Sequence, residues 1–286
     1  GGGLFAYPAQ SNFSGVRHPL SLLADAKARG WTTFLDAASF LPTADLRLDQ
    51  HSPDFLALSM YKIAGYPTGL GALVARHEAL GMLRRPSFAG GAVDWVSVQK
   101  PRHRIAHGPE GFEDGTASFL AAGAVAPALE QLQQIGRDRL ATHLCGLTQS
   151  LLSSLASLRH GNGRPVVVIH GPSDSVDRGA TVALTLHTPD GDALPYWEIE
   201  DDARRASLAM RGGCFCNPGC AERAFDFPTE RMQSCFDELG DRFTIPGFAH
   251  CLGESSVGAI RISLGLGSVA ADVSRAIAFI SRYVCA

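Results

Sequence analysis

The sequence predicts an α/β protein: a sheet with helices on both faces, followed by a smaller α+β domain. Three observations support this fold class: short apolar runs bounded by turn residues, amphipathic stretches between them, and a change of pattern near residue 160. The chain has 286 residues, of which 45% are apolar, and a formal charge of −3. This composition is typical of a globular protein and provides no basic surface for nucleic acid or an anionic membrane. No apolar run approaches the ~18 residues of a membrane span.

The first predicted domain is organised around three apolar runs, at residues 31–36, 54–59 and 72–76. Bounded runs of this length are typical of buried strands in a parallel sheet. Residues 4–7 predict a further strand, and residues 19–29 have apolar side chains at helical spacing. Strand, helix and strand in this order predict a βαβ unit.

Helices are expected over residues 118–135 and 137–158. The second has an apolar stripe that we assign to the core, comprising Leu140, Leu144, Leu147, Leu151, Leu152 and Leu155. The turn-rich residues 160–165 predict a domain boundary, so residues 1–160 form the large domain and residues 161–286 the small one. The small domain contains predicted strands at 166–169 and 181–186 and predicted helices at 198–206 and 269–283.

Two polar residues follow the predicted strands of the large domain. Asp36 ends one apolar run, and Lys62 lies three residues after the end of another. In open α/β sheets, ligands bind outside the carboxyl ends of the strands, so an acid and an amine here could face one pocket. The chain has 25 Lys plus Arg, and only Lys27, Lys62 and Lys100 are lysines. A lysine amine can attack a carbonyl, although Lys62 is equally compatible with a solvated loop and Asp36 with a turn cap.

The motifs around these residues resemble those of a known family. Asp36-Ala-Ala-Ser39, Ser59-Met-Tyr-Lys62 and Gly65-Tyr-Pro-Thr-Gly69-Leu-Gly71 occur in this order. Together they resemble the class V, cysteine desulfurase-like branch of the pyridoxal-phosphate (PLP) enzymes. Phe5-Ala-Tyr-Pro-Ala-Gln-Ser-Asn-Phe-Ser-Gly15 and Gly213-Cys-Phe-Cys-Asn-Pro-Gly219 are most similar to the molybdenum cofactor sulfurase aminotransferase-like domain.

The resemblance implies the fold type I of PLP-dependent transferases and a set of cofactor contacts. Lys62 would hold the cofactor covalently, and Asp36 would pair with its pyridine nitrogen. Asn12 would lie near its phenolic oxygen, although this residue is also a common turn former. Ser59 and Tyr61 take the places of two side chains that reach the phosphate.

The acidic-Gly-Thr turn at Phe112-Glu-Asp-Gly115-Thr116 resembles a family motif whose threonine binds the phosphate of the neighbouring subunit's cofactor. The resemblance therefore implies a homodimer. A hydroxyl at a helix start suits an anion, and Thr116 could instead simply cap the helix.

Three of the seven cysteines lie within seven residues: Cys214, Cys216 and Cys220. Cys-x-Cys-x₃-Cys is not a usual zinc spacing, so no metal site is expected. Inert buried thiols and a nucleophile in a glycine-rich loop are the other interpretations. The resemblance places Cys216 on the persulfide-forming position, with Cys214 and Cys220 as neighbours that could tune, relay or protect the sulfur.

The remaining cysteines are expected to be buried, inert thiols: Cys145, Cys235, Cys251 and Cys285. An odd number of cysteines favours reduced thiols in a cytoplasmic protein over a disulfide framework.

The resemblance also implies the reaction. Arg261 would bind the carboxylate of L-cysteine, whose sulfur would pass to Cys216 and then to an acceptor, the molybdenum cofactor in the sulfurases. The family's phosphate cradle and ring-stacking residue would precede Gly1, so we expect a fragment with weak or no activity. Two alternatives are another class V reaction without a persulfide, and a degenerate domain that serves in dimerisation or carries sulfur.

Overall fold

The computed structural model describes residues 2–66 and 68–286, so Pro67 of the glycine-rich motif lies outside the description. The chain forms two compact units. Unit 1 contains the residues up to Ala9 and Pro19–Arg137, and unit 2 contains Gln10–His18 and Asp138–Ala286. Each unit has its own sheet and its own buried core. The domain boundary at residue 160 stays a prediction.

The expected mixed α/β architecture is confirmed by the element order. Unit 1 contains β1 (Leu4–Pro8), α1 (Leu22–Ala28), β2 (Thr32–Asp36), β3 (Phe55–Ser59), α2 (Met60–Ala64), β4 (Gly71–Ala75), α3 (His77–Met82), β5 (Val93–Ser97), β6 (Arg102–Ile105), α4 (Phe119–Ala122) and α5 (Val125–Ile135). Unit 2 is built from α6 (Arg137–Ser157), β7 (Val167–His170), β8 (Thr181–Leu186), α7 (Tyr196–Arg205), β9 (Arg211–Gly213), α8 (Pro218–Phe225), α9 (Thr229–Leu239), α10 (Ile245–Leu252), β10 (Ala259–Ser263) and α11 (Ala270–Ile280).

The main sheet of unit 1 has the strand order β1-β2-β3-β4. β1 pairs with β2 and β2 pairs with β3 in parallel, as predicted, but β4 pairs with β3 antiparallel. β3 ends at Ser59 and β4 begins at Gly71, and a parallel crossover needs a dozen or more residues. The predicted burial of this strand was also wrong: Leu73 is 53% exposed, because β4 lies at the edge of the sheet.

A half-buried carboxylate joins the start of β3 to β2. Asp54 Oδ2 accepts hydrogen bonds from the backbone N–H and the hydroxyl of Thr33, both at 2.8 Å, and Lys27 Nζ lies 3.1 Å from Oδ1. Burial opposes ionisation of Asp54, but the Thr33 hydrogen bonds and the Lys27 ammonium together lower its pKa. This network fixes the pairing of β2 with β3.

The helix predicted over residues 118–135 is interrupted, and α4 and α5 stand in its place. Pro127 has no N–H to donate to the carbonyl of Gly123, so the hydrogen-bond ladder cannot run through this point. The N-cap residue of α4 is Ser118, so Thr116 does not cap the helix and lies two residues before the cap.

The core of unit 2 lies between α6, α7, α11 and the antiparallel sheet β7-β8-β10-β9. The predicted leucine stripe of α6 is confirmed, because all six leucines are buried in this cluster. The cluster also contains Val182, Leu184 and Leu186 of β8 and Ile260 of β10. The apolar side chains of the strands and of the helix therefore pack in one core.

The expectation for the four remaining cysteines was wrong. Cys235 of α9 and Cys251 of α10 form a disulfide with a Cα–Cα distance of 5.8 Å. Facing aromatic rings of Phe236, Phe243 and Phe248 bring the two helices together. Cys145 and Cys285 are exposed.

Neither a membrane-spanning helix nor a metal-binding cluster is found in residues 2–66 and 68–286. No helix there combines the length and apolar character needed to cross a bilayer. In the same residues, no group of three or more His, Cys, Asp or Glu side chains is arranged to hold a metal ion.

Replacing Asp54 by asparagine tests the network at the start of β3. We expect Asp54→Asn to lower the free energy of unfolding at pH 7 by about 1.5–3 kcal/mol, the range for hydrogen bonds to a charged group. The pKa of Asp54 is lowered in the folded state, so its contribution is complete above the unfolded value of about 3.9 and disappears as the pH falls through the folded value. Urea titrations at pH 7 and at successively lower pH measure both effects.

The matched control is Asp49→Asn. Asp49 pairs with Arg47 on the surface, where its side chain is 62% exposed, so this substitution should change stability little. An equal loss of stability in Asp54→Asn at pH 7 and at the lowest pH would contradict the assignment.

Candidate functional site

Lys62 lies on the short helix α2, which directly follows β3. The Met60 N–H donates to the carbonyl of Leu70 at 3.1 Å, and Gly65 ends the helix with a left-handed backbone (φ 76°). Glycine adopts this conformation without steric cost, so the chain can turn back sharply into β4. The helix, and not a free loop, therefore presents the amine. Lys62 is exposed, and the part of the chain that the structure describes offers its ammonium group no hydrogen bond or ion pair.

Asp36 is the last residue of β2. It pairs in register with Ala57 of β3, so Asp36 and the start of α2 lie at the same edge of the sheet. Its Oδ1 accepts a hydrogen bond from the Ala38 N–H at 2.9 Å, which orients the carboxylate and fits the alternative interpretation as a turn cap. The residue is exposed, which leaves the carboxylate accessible to a ligand.

Three further predicted residues of unit 1 carry hydroxyl groups. Ser59 precedes α2 without capping it, and Tyr61 on the first turn is exposed. Thr116 is exposed, and the preceding Gly115 N–H donates to the carbonyl of Gly90 at 3.2 Å. The acidic-Gly-Thr turn is therefore held against the glycine pair at 90–91.

In unit 2 the structure brings Asn12 and Arg261 together. Arg261, on β10, donates through Nη1 to the backbone carbonyl of Asn12 at 2.9 Å. Asn12 Nδ2 donates in turn to the carbonyl of Phe215 at 2.5 Å. The guanidinium carbon of Arg261 lies 4.7 Å from the centroid of the Phe215 ring, a cation–π contact.

Cys216 follows Phe215 in the loop between β9 and α8. Its thiol is exposed, whereas Cys214 and Cys220 are half-buried. Phe215 and Cys216 both have a left-handed backbone, with φ of 55° and 58°. This region costs a residue with a side chain roughly 1–3 kcal/mol, so surrounding contacts must hold the loop in place. Only the second cysteine of the motif is both exposed and strained.

The other end of the loop enters α8. Asn217 caps this helix, because its Oδ1 accepts a hydrogen bond from the Cys220 N–H at 3.2 Å. Cys220 then faces a cleft of about 560 Å³ that belongs to unit 2. Phe13, Ile169 and His170 contribute to its walls. Burial lowers the pKa of His170, with a smaller contribution from His187, and Arg223 adds a positive charge to the lining of the cleft.

Residues 10–18, which carry Asn12, are anchored by a buried arginine that sequence reasoning missed. Arg178 is 3% exposed and donates to the backbone carbonyls of Ser14 and Thr181. Burial lowers its pKa to about 10, which leaves the group charged at neutral pH. The sequence contains 22 arginines, and no pattern around Arg178 distinguishes it as a buried one. Phe215 was also missed, although its place between two cysteines of a glycine-rich motif was a usable signal.

Comparisons with known proteins show the family and the fold. The model of the class-V aminotransferase family matches residues 3–223. The molybdenum cofactor sulfurase of Caenorhabditis elegans is 33% identical over 282 residues, which is 95% of this chain and 38% of that protein. The chain therefore spans well under half the length of this relative.

Two solved structures share the fold. An apo cysteine desulfurase from Thermococcus onnurineus matches with a TM-score of 0.73 and 22% identity, over 98% of this chain and 60% of that one. A cystine C–S lyase in complex with its product, cysteine persulfide, matches with a TM-score of 0.69 and 16% identity, over 98% and 61% of the two chains.

Alkylation followed by peptide mass spectrometry tests the exposure of the cysteine loop. With limiting iodoacetamide, we expect Cys216 to be modified before Cys214 and Cys220, because only its thiol is exposed. Cys235 and Cys251 should react only after reduction, and exposed Cys145 is the internal control. Faster modification of Cys214 than of Cys216 would contradict the loop conformation.

Proposed function

Because the chain belongs to the class-V aminotransferase family, we propose that it is the PLP-binding part of a transferase that takes sulfur from L-cysteine. Cys216 would carry this sulfur as a persulfide and pass it to an acceptor. The observation that carries the proposal is the parallel pairing of β2 and β3, which supports a shared site for Asp36 and Lys62. The similarity to a molybdenum cofactor sulfurase supports the molybdenum cofactor as the acceptor.

The residues at this edge of unit 1 fit PLP. The unpaired amine of Lys62 suits its aldehyde carbon, and the exposed carboxylate of Asp36 suits its pyridinium nitrogen. Ser59 and Tyr61 offer hydroxyl donors for its phosphate, and Thr116 of a second copy of the chain would offer a third. When bound, the protonated ring supplies an electron sink for charge that develops at the substrate's Cα.

The chain's own residues would perform the remaining steps. Lys62 would remove the Cα proton, and Arg261 would bind the substrate carboxylate, which matches its planar guanidinium. Asn12 has a second amide hydrogen, beside the one bonded to Phe215, for the phenolic oxygen of the cofactor. Asp36 would keep a proton on the ring nitrogen, because a carboxylate favours the charged form of its partner.

Sulfur transfer balances without a further reagent. The thiolate of Cys216 would attack the sulfur of L-cysteine, so that an S–S bond forms and the substrate C–S bond breaks. The electron pair of the broken bond takes up a proton, which leaves alanine and a persulfide on Cys216. The exposed position of this thiol supports the next transfer, because an acceptor can reach it.

A homodimer is part of the proposal. Unit 1 exposes large apolar side chains between residues 95 and 120, and contact with a second copy would remove them from water. These side chains are Trp95, Val96, Val98, Phe119 and Leu120.

A cystine lyase-type elimination is the second candidate, and similarity to the fold of a C–S lyase favours it. That reaction needs Lys62 and Asp36 but no protein persulfide. The two candidates therefore differ in their dependence on Cys216.

Peptide mass spectrometry of the PLP-loaded full-length protein after addition of L-cysteine separates them. We expect one additional sulfur atom on the peptide that contains Cys214 to Cys220. The adduct should disappear in Cys216→Ser and persist in Cys214→Ser, because Cys216 is the exposed nucleophile. Alanine production that is unchanged in Cys216→Ser would exclude sulfur transfer through this residue.

Lys62→Arg tests the cofactor assignment with the positive charge preserved. A guanidinium cannot form the covalent bond, so the visible absorption of lysine-bound PLP should be absent. Lys100→Arg, at an exposed turn, is the matched control and should retain it. Full absorption in Lys62→Arg would assign the cofactor to another amine.

A further inference from the structure

Phe215 connects the proposed carboxylate-binding arginine to the proposed nucleophile. Its side chain is 4% exposed and belongs to a small core cluster of unit 2. The ring centroid lies 5.4 Å from that of Phe13 on one side and 4.7 Å from the guanidinium carbon of Arg261. Cys216 is the next residue along the chain.

The contacts form a closed circuit. Arg261 donates to the Asn12 carbonyl, Asn12 donates to the Phe215 carbonyl, and the Phe215 ring faces Arg261. Movement of the guanidinium would therefore alter its cation–π contact with the Phe215 ring. It would also alter its hydrogen bond to Asn12, whose side chain is bonded to the Phe215 carbonyl.

The backbone makes Cys216 depend on this circuit. Phe215 and Cys216 are consecutive residues with side chains in the left-handed region, a conformation that persists only when the surroundings determine it. Cys216 is exposed, so its own side chain contributes little packing. The thiol is therefore held in position by the buried ring of Phe215, by the bond from Asn12 and by the Asn217 N–H, which donates to the Cys214 carbonyl at 3.0 Å.

We propose that Phe215 is a positioning residue that transmits the position of the Arg261 guanidinium to the Cys216 thiol. A carboxylate forms stronger, charge-assisted bonds with a guanidinium than a backbone carbonyl does. A carboxylate taken up by Arg261 would compete with the Asn12 carbonyl and draw the guanidinium from the Phe215 ring. Cys216 would thus respond to an occupied carboxylate site. The link to catalysis rests on the proposed function, whereas the link between the two side chains does not.

The first test requires neither cofactor nor turnover. It measures the rate of Cys216 alkylation by iodoacetamide, resolved by peptide mass spectrometry, in Phe215→Leu, Arg261→Gln and the double variant. Each single variant should change the rate in the same direction by about two- to tenfold, the factor that corresponds to an aromatic contact. The double variant should change it no further, because both substitutions break one circuit.

Two controls accompany this test. Arg211→Gln removes an exposed guanidinium from the residue that pairs with Arg261 on β9 and should leave the rate unchanged. Phe215→Tyr keeps the aromatic face and should restore the wild-type rate, so a general loss of packing is distinguished from loss of the contact. If Phe215→Leu does not fold, the alkylation rates of Phe215→Tyr and Arg261→Gln still test the proposal.

Unchanged alkylation in Arg261→Gln, or additive effects in the double variant, would overturn the proposal. A second measurement, in the PLP-loaded full-length protein, concerns persulfide formation from L-cysteine. Phe215→Leu should lower kcat with little effect on KM, while Arg261→Gln should raise KM. If the two substitutions have non-additive effects on Cys216 alkylation but the protein forms no persulfide, the proposed function is refuted and the positioning role of Phe215 stands.

Discussion

The register between β2 and β3 is the constraint on which the candidate site of unit 1 depends. Asp54 ties the start of β3 to Thr33 and Lys27, and the parallel pairing continues to Asp36 and Ala57. Because successive side chains in a strand alternate between faces, a slip by one residue would turn the carboxylate to the opposite face of the sheet. A polar network at one end of the strands thus determines which groups appear at the other.

In unit 2 the candidate residues are positioned by an antiparallel sheet and by the packing of one aromatic ring. The antiparallel sheet places Arg261 on β10, beside β9, which leads into the cysteine loop. The loop itself has an unfavourable backbone at Phe215 and Cys216, and burial of one aromatic ring offsets that cost. The exposed thiol is therefore held by the residue that precedes it.

Where the sequence interpretation was wrong, the deciding information was not local. β4 has the apolar composition of a buried strand, but the short connection from β3 makes it an antiparallel edge strand. The disulfide between Cys235 and Cys251 depends on the packing of α9 against α10, and counting cysteines cannot reveal such packing. The break before α5 did have a local signal, Pro127, which the continuous pattern of small residues obscured.

The sequence by itself determined the α/β class, the leucine core of α6 and the residues with the required chemistry, because periodicity and residue type are local properties. It also indicated that Lys62 follows a strand and that Cys216 lies in a glycine-rich loop. Only the tertiary structure decided that Lys62 is presented by a helix and that Asn12 and Arg261 both contact Phe215. The physical reason is that hydrogen bonds between residues 203 and 249 positions apart depend on how the whole chain folds, which no local pattern records.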